Sequence, residues 1–110
     1  MAVTYQVVYL PQAEDDIERL LDFHLFERDN LNFAVKLQLA IMDAVEKAAK
    51  MPSAGQLEDR FSSRSGKIYR KVKALKHYVV YDTKEVARDI IIITVYHFNA
   101  GPDFYKDGLP

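Results

Sequence analysis

Seven basic residues fall within one segment of the chain that contains no acidic residue. The segment runs from Arg60 to Tyr81 and has a net charge of +7. Clustered amino and guanidinium groups attract anions, and Coulomb attraction does not distinguish nucleic-acid phosphates from an acidic protein segment. We therefore predict an anion-binding surface, with a merely solvated strand surface as the alternative, since lysine side chains commonly cover exposed sheet. The basic residues are Arg60, Arg64, Lys67, Arg70, Lys71, Lys73 and Lys76.

The near-neutral total charge of −1 conceals this segment. Residues 1–59 carry 5 basic and 11 acidic residues, and residues 82–110 carry 3 basic and 5 acidic residues. Their net charges are therefore −6 and −2, and they cancel the basic segment. The total is a balance between surfaces of opposite sign.

The composition predicts one globular domain over residues 1–110. Hydrophobic residues make up 49% and charged residues 28% of the chain, which excludes disorder. The absence of cysteine excludes disulfides, cysteine-based zinc sites and thiol nucleophiles, and we expect no metal or cofactor. The longest apolar run, Ile90 to Ile93, is too short to cross a bilayer, and Met1 to Leu10 does not resemble a signal peptide. We expect a cytoplasmic protein without a membrane partner.

The first half of the chain predicts a strand and two helices. Polar and apolar residues alternate over Val3–Tyr9, which is typical of a strand. Apolar residues then recur at helical spacing from Pro11 to about Arg28 and, after a cap at Asn30 or Asn32, up to Met51. Helices joined so closely pack as an antiparallel hairpin.

The second half predicts a loop and three strands. The loop covers Gln56–Gly66, and the strands cover Lys67–Ala74, Lys76–Asp82 and about Asp89–Phe98. The last strand is apolar on both faces, which favours a central position in the sheet. We predict an α+β fold of order β-α-α-β-β-β, in which the helical hairpin covers one face of a mainly antiparallel four-stranded sheet. The tail Gly101–Pro110 is predicted to be irregular, with Phe104 and Tyr105 able to hold it to the surface.

Strand alternation distributes the basic segment over two sheet faces. Tyr69, Lys71 and Lys73 share one face, and Arg70 shares the other with Val72. The sequence therefore predicts a positive, partly aromatic strip on the sheet surface opposite the helices.

The second half of the chain contains three short motifs whose order along the chain resembles that in the ParE/RelE superfamily of toxins from type II toxin–antitoxin pairs. The resemblance covers nearly the whole chain, beginning with the helix opening Pro11–Ile17. Its more specific part lies in Tyr69-Arg70, then Lys76-His77-Tyr78-Val79-Val80-Tyr81, then Val95-Tyr96-His97.

The ParE branch of the superfamily is favoured by this pattern and by the long helical hairpin. Arg70 falls at the ParE arginine, and Lys76 with His77 matches the basic-His pair, but Phe98 follows His97 where ParE often has arginine. The resemblance implies a growth-arresting inhibitor of DNA gyrase. It also implies a cognate antitoxin with a ribbon-helix-helix half and an acidic-apolar tail, through which operator DNA is bound only indirectly. The residues implied in target or antitoxin binding are Tyr69, Arg70, Lys71, Lys73, Lys76, His77 and Tyr81.

The RelE branch supplies an alternative, a ribosome-dependent mRNA endoribonuclease. Lys71 and Lys73 match its paired lysines, and His97 with Glu58 resembles the acid and base of some members. A structural role for His97 is the competing interpretation. Two arginines of that branch are missing: Tyr78 stands at the position of one, and Tyr96-His97-Phe98-Asn99 replaces the other after the last strand, which removes an obvious stabiliser of phosphate charge. A second alternative is an inactive paralogue that retains only antitoxin binding.

Overall fold

The computed structural model describes residues 3–59, 61 and 66–99. The chain begins with strand β1 (Gln6–Tyr9) and helix α1 (Pro11–Asp22), which continues into a π-helical turn (Phe23–Glu27). Helix α2 (Leu31–Lys50) follows and returns along α1. The predicted helical hairpin is thus confirmed.

Local chemistry accounts for where both helices begin. Pro11 occupies the first turn of α1, where its missing N–H leaves no hydrogen bond unmade, and Glu14 complements the positive helix end. Asn30 caps α2, because its side-chain oxygen accepts a hydrogen bond of 3.0 Å from the Phe33 N–H. Asp29 takes the left-handed conformation, with φ of 48°, and so separates the two helices.

The second half of the chain contributes four strands after a short 3-10 turn (Pro52–Ala54). They are β2 (Gln56–Leu57), β3 (Arg70–Ala74), β4 (His77–Lys84) and β5 (Asp89–His97). Leu75, with φ of 55°, lies in the tight turn predicted between β3 and β4. The predicted tail Gly101–Pro110, Phe104 and Tyr105 included, lies outside the described residues.

The sheet has the order β1-β5-β4-β3-β2. Only β1 pairs in parallel, with β5, and the other neighbours are antiparallel, which confirms the α+β class. The prediction of four strands is wrong, because β2 adds a fifth within the predicted loop. Gln56 and Leu57 have no alternating pattern of their own, and they are strand residues only because Lys71 and Arg70 of β3 pair with them.

Apolar residues fill both sides of this sheet. The helices cover one face, where the main core includes Leu37 and Ile41 of α2 with Val79 and Ile92 of the sheet. A smaller core occupies the other face and consists of Phe61, Tyr69, Val80, Ile93 and Tyr96. Strand β5 lies between β1 and β4, as predicted from its apolar residues on both faces.

Candidate functional site

Lys71 and Lys73 lie on the sheet face opposite the helices. Lys71 is paired with Val80 and Lys73 with Tyr78 of the neighbouring strand; Val80 belongs to the small core of that face, and Tyr78 packs against it. Lys73 is exposed, whereas the side chain of Lys71 is only 18% exposed. Lys73 is therefore more accessible to a ligand in solution than Lys71 is.

Two aromatic rings lie beneath these ammonium groups. The Lys71 Nζ lies 4.4 Å from the centroid of the Tyr78 ring, and the Lys73 Nζ lies 5.6 Å from that of Phe98. The Tyr78 and Phe98 rings are 4.6 Å apart and inclined by 33°. We call Lys71, Lys73, Tyr78 and Phe98 the aromatic–lysine patch. It combines cation–π contacts with an accessible ring surface, which suits an anion that carries apolar or planar groups.

Neither Tyr78 nor Phe98 was identified as a site residue from the sequence. Strand alternation placed Tyr69 beside the lysines but not these two rings, which come from other strands. In the sequence, alternation places Tyr78 on the same strand face as Val80, and Phe98 on the same face as Tyr96. Only the register of β3, β4 and β5 shows that these faces also carry the lysines.

Glu58 inserts a carboxylate among these groups. Its Oε2 lies 3.2 Å from the Lys71 Nζ and accepts a short hydrogen bond from the Tyr96 hydroxyl. The Glu58 side chain is only 3% exposed. The sequence predicted no carboxylate on this face. Because Glu58 lies there, the face is less positive than the sequence predicted.

Tyr69 is buried, although it shares a face with the lysines. Its ring meets the Phe61 ring edge-on at 6.1 Å, and its carbonyl accepts a hydrogen bond of 2.9 Å from the Glu58 N–H. Tyr69 therefore positions the Glu58 backbone beneath the patch and offers no ring to a ligand.

Arg70 and Tyr81 face the helix side and hold the connection after α2 against the sheet. Arg70 donates a hydrogen bond of 2.8 Å to the Gly55 carbonyl, and the Tyr81 hydroxyl donates one of 2.7 Å to the Pro52 carbonyl. Burial raises the pKa of Tyr81, so its hydroxyl keeps the proton that this bond requires. Tyr81 is fully buried, whereas Arg70 is half-buried and lines a small cleft with Ser53 and Thr83.

His77 and His97 face each other at the end of the sheet. Their rings meet edge-on at 5.1 Å, and His77 is 3% exposed with its Nδ1 buried and unpaired within the described residues. Burial, and then the charges of His97 and His24, lower the pKa of His77 to about 4. His77 is thus neutral at pH 7, and Lys76 beside it is exposed in the β3–β4 turn.

The structure brings together only part of the residue set named for a ribonuclease. Glu58 and Lys71 are paired, and Lys73 lies beside them. His97 projects to the other face, because it follows Tyr96 in the strand and successive side chains alternate. Its Nδ1 accepts a hydrogen bond of 3.0 Å from the Asn99 N–H.

An open groove of about 430 Å³ lies between α1 and α2 on the other side of the molecule. Apolar side chains of both helices form its floor, and Glu14, Glu18 and Asp22 of α1 line its rim. This acidic rim disfavours an acidic ligand, so the two sides of the molecule differ in the partners they suit.

Two negative findings apply to the described part of the chain. Residues 3–59, 61 and 66–99 contain no group of three or more histidine, aspartate or glutamate side chains placed to hold a metal ion. Within the same ranges, neither helix is both long and apolar enough to cross a membrane.

A helical hairpin on a five-stranded sheet, with lysines and aromatic rings on the opposite face, defines a small α+β protein. A solved structure with this fold is the toxin–antitoxin complex RelBE2 from Mycobacterium tuberculosis. The TM-score is 0.61 at 14% sequence identity, and the match covers 86% of this chain and 92% of that one. At this identity the likeness shows the fold.

Family membership follows from the sequence comparison. Residues 7–99 match the ParE toxin of the type II toxin–antitoxin system parDE. The match spans most of the chain, and the chain therefore belongs to the ParE toxin family. No curated protein sequence matches it.

Proposed function

We propose that this toxin acts by binding and inhibiting DNA gyrase in the cytoplasm, and that its cognate antitoxin neutralises it. The position of His97 carries the proposal. A histidine that acts as general acid must lie on the same sheet face as the lysines that would hold the phosphate. His97 instead packs against His77 on the opposite sheet face. A basic face without that imidazole suits binding better than phosphoryl transfer.

The aromatic–lysine patch fits the acidic-apolar tail expected of the antitoxin. Lys73 is exposed to meet carboxylates, and Phe98 is 37% exposed to meet apolar side chains. The ribbon-helix-helix half of the antitoxin, and its indirect link from toxin to operator DNA, follow from the family resemblance.

The decisive experiment mixes purified protein with gyrase and supercoiled plasmid and measures gyrase-dependent DNA cleavage. We expect cleavage with the wild type and none with Arg70→Ala, since Arg70 stands at the arginine of the ParE pattern. Lys84→Ala is the matched control, because Lys84 is exposed and, among the described residues, pairs only with Asp82 at 3.4 Å. Thermal melting must accompany the assay, because Arg70 also bonds to the Gly55 carbonyl.

Each outcome has a defined meaning. A folded wild type that never promotes gyrase-dependent cleavage contradicts gyrase as the target. A folded Arg70→Ala variant that is fully active contradicts the role assigned to Arg70 alone.

The alternative is a ribosome-dependent mRNA endoribonuclease that does not use His97 as its acid. It is favoured by one observation, the convergence of Lys71, Lys73, Glu58 and Tyr96 on one face. Transcript cleavage on translating ribosomes, lost in Lys71→Ala and unchanged in His97→Ala, would support this function. Antitoxin binding without growth arrest or activity in either assay would identify an inactive paralogue.

A further inference from the structure

Helix α2 carries a second apolar stripe that the fold leaves uncovered. Leu31, Val35, Leu39 and Met42 are 60%, 46%, 60% and 56% exposed. Their spacing of four, four and three residues aligns them along one side of the helix, apart from the buried stripe that includes Leu37 and Ile41. A contiguous row of large exposed apolar side chains commonly marks an interaction surface.

The charges beside this stripe favour a second copy of the same helix as its partner. Lys36 and Asp43 lie on the same flank of α2, on either side of Leu39, and both are exposed. Lys36 has no ion-pair partner among the described residues, and Asp43 forms only a solvent-exposed pair with Lys47 at 3.1 Å. Lys36 lies three residues before Leu39 and Asp43 four residues after it, so opposite charges at similar distances from a central leucine make the surface self-complementary.

We propose that α2 pairs with α2 of a second copy of this chain, antiparallel and about a two-fold axis at Leu39. In this arrangement each Leu39 meets its counterpart, and Val35 and Lys36 of one copy lie across from Met42 and Asp43 of the other. A two-fold axis repeats every contact, so both Lys36–Asp43 attractions form at once. The pairing places apolar side chains against apolar side chains and opposite charges against each other along the same seam.

This dimer is independent of the proposed function. The paired helices lie on the face of the sheet opposite the aromatic–lysine patch, which therefore stays accessible in the dimer. Since the contact is confined to one helix of each copy, we expect a weak dimer that forms at micromolar concentration.

The absence of cysteine permits a direct test. In Leu39→Cys the two thiols of a dimer face each other across the axis, and mild oxidation should join them. Val86→Cys is the control, because Val86 is fully exposed in the β4–β5 turn, away from α2. We expect Leu39→Cys to form covalent dimer about tenfold faster or more, since a disulfide requires the two Cβ atoms within about 4.5 Å.

Charge reversal tests the register. Sedimentation equilibrium should show the dimer of Lys36→Glu or of Asp43→Lys weakened by roughly three- to tenfold, and the dimer of the double variant Lys36→Glu/Asp43→Lys restored. All the substituted side chains are exposed, so circular dichroism should show an unchanged fold. A wild type that remains monomeric well above micromolar concentration overturns the proposal. Equal cross-linking of both cysteine variants, or a double variant no better than the single ones, also overturns it.

Discussion

The ammonium group of Lys71 lies 3.2 Å from the carboxylate of Glu58, whose side chain is almost wholly buried. The second residue comes from the segment just after β2, where the sequence predicted only a loop. Glu58 therefore occupies a position on Lys71 that an anionic partner would otherwise contact. This pair determines how much of the positive charge on the sheet face is available for binding.

The first prediction concerns the stability that this pair provides. Glu58→Gln should lower the free energy of unfolding by about 2 kcal/mol, because it leaves a poorly solvated ammonium without its counter-charge. Urea denaturation at pH 7 measures the loss. Asp82→Asn is the control, since Asp82 pairs with a lysine side chain that is 51% exposed, and it should cost less than about 1 kcal/mol. Equal losses in the two variants would contradict the structural importance of Glu58.

The second prediction concerns binding of the acidic-apolar antitoxin tail to the aromatic–lysine patch. Lys71→Ala/Lys73→Ala should weaken binding and reduce its salt dependence, because fewer charges are neutralised. Glu58→Gln should strengthen binding, since it frees Lys71. Lys50→Ala is the matched control, because Lys50 is an exposed lysine of α2 that pairs with Glu46 on the other side of the molecule. An affinity that none of these substitutions changes across a salt titration would exclude the patch from the interface.

The third prediction concerns Gly55, which is required for space and not for its backbone angles. Its φ of −66° is ordinary, but a Cβ there would lie 2.2 Å from the Tyr81 hydroxyl oxygen. Gly55→Ala should therefore cost about 2 kcal/mol of stability by displacing Tyr81 from the Pro52 carbonyl. Adding Tyr81→Phe removes the clashing atom, so the double variant should lose less than the sum of the single losses.

A second glycine separates the two causes. Gly66→Ala meets no atom within 4 Å, but Gly66 has φ of +74°, so it should cost about 1 kcal/mol through backbone strain alone. Tyr81→Phe should not change that cost. A rescue of both glycine variants by Tyr81→Phe would contradict the assignment of a steric clash to Gly55.

The fourth prediction concerns stability at acid pH. The pKa of His77 is about 4 in the folded protein against an ordinary value of 6.5, so the unfolded chain binds the extra proton between these values. The contribution of His77 to the free energy of unfolding is therefore complete above pH 6.5. It falls as the pH is lowered towards 4, by up to about 3 kcal/mol. The charges of His97 from β5 and of His24 from the π-helical turn lower the pKa of His77 in the same direction as burial does.

Urea denaturation between pH 4 and 8 tests this assignment. His77→Phe keeps a ring in the core and removes the buried unpaired nitrogen, so it should flatten the dependence between pH 6.5 and 4. His24→Gln is the comparison variant, and it should retain most of the slope because His24 is only half-buried. An unchanged slope in His77→Phe would assign the acid sensitivity to other groups.

Much of the fold could be predicted because the relevant signals are local. The apolar spacing of α2, its cap at Asn30 and the apolar residues on both faces of β5 each lie within a few residues of chain. So do the alternation that sends Lys71 and Lys73 to one face and the turn at Leu75. These features led to the helical hairpin, the α+β class and the expectation of a basic sheet face.

The composition of the site depended on contacts between distant residues, which local patterns do not specify. β2 exists only because β3 offers it an unpaired edge, and Glu58 reaches Lys71 because that pairing carries the chain across the sheet. Register between β3, β4 and β5 brought Tyr78 and Phe98 under the lysines and sent His97 to the other side. By itself, the sequence determined which elements form and which strand faces are basic, because periodicity and charge are properties of short segments. Only the tertiary structure decided which carboxylate, rings and histidines share a face with those lysines, because strand pairing sets those distances.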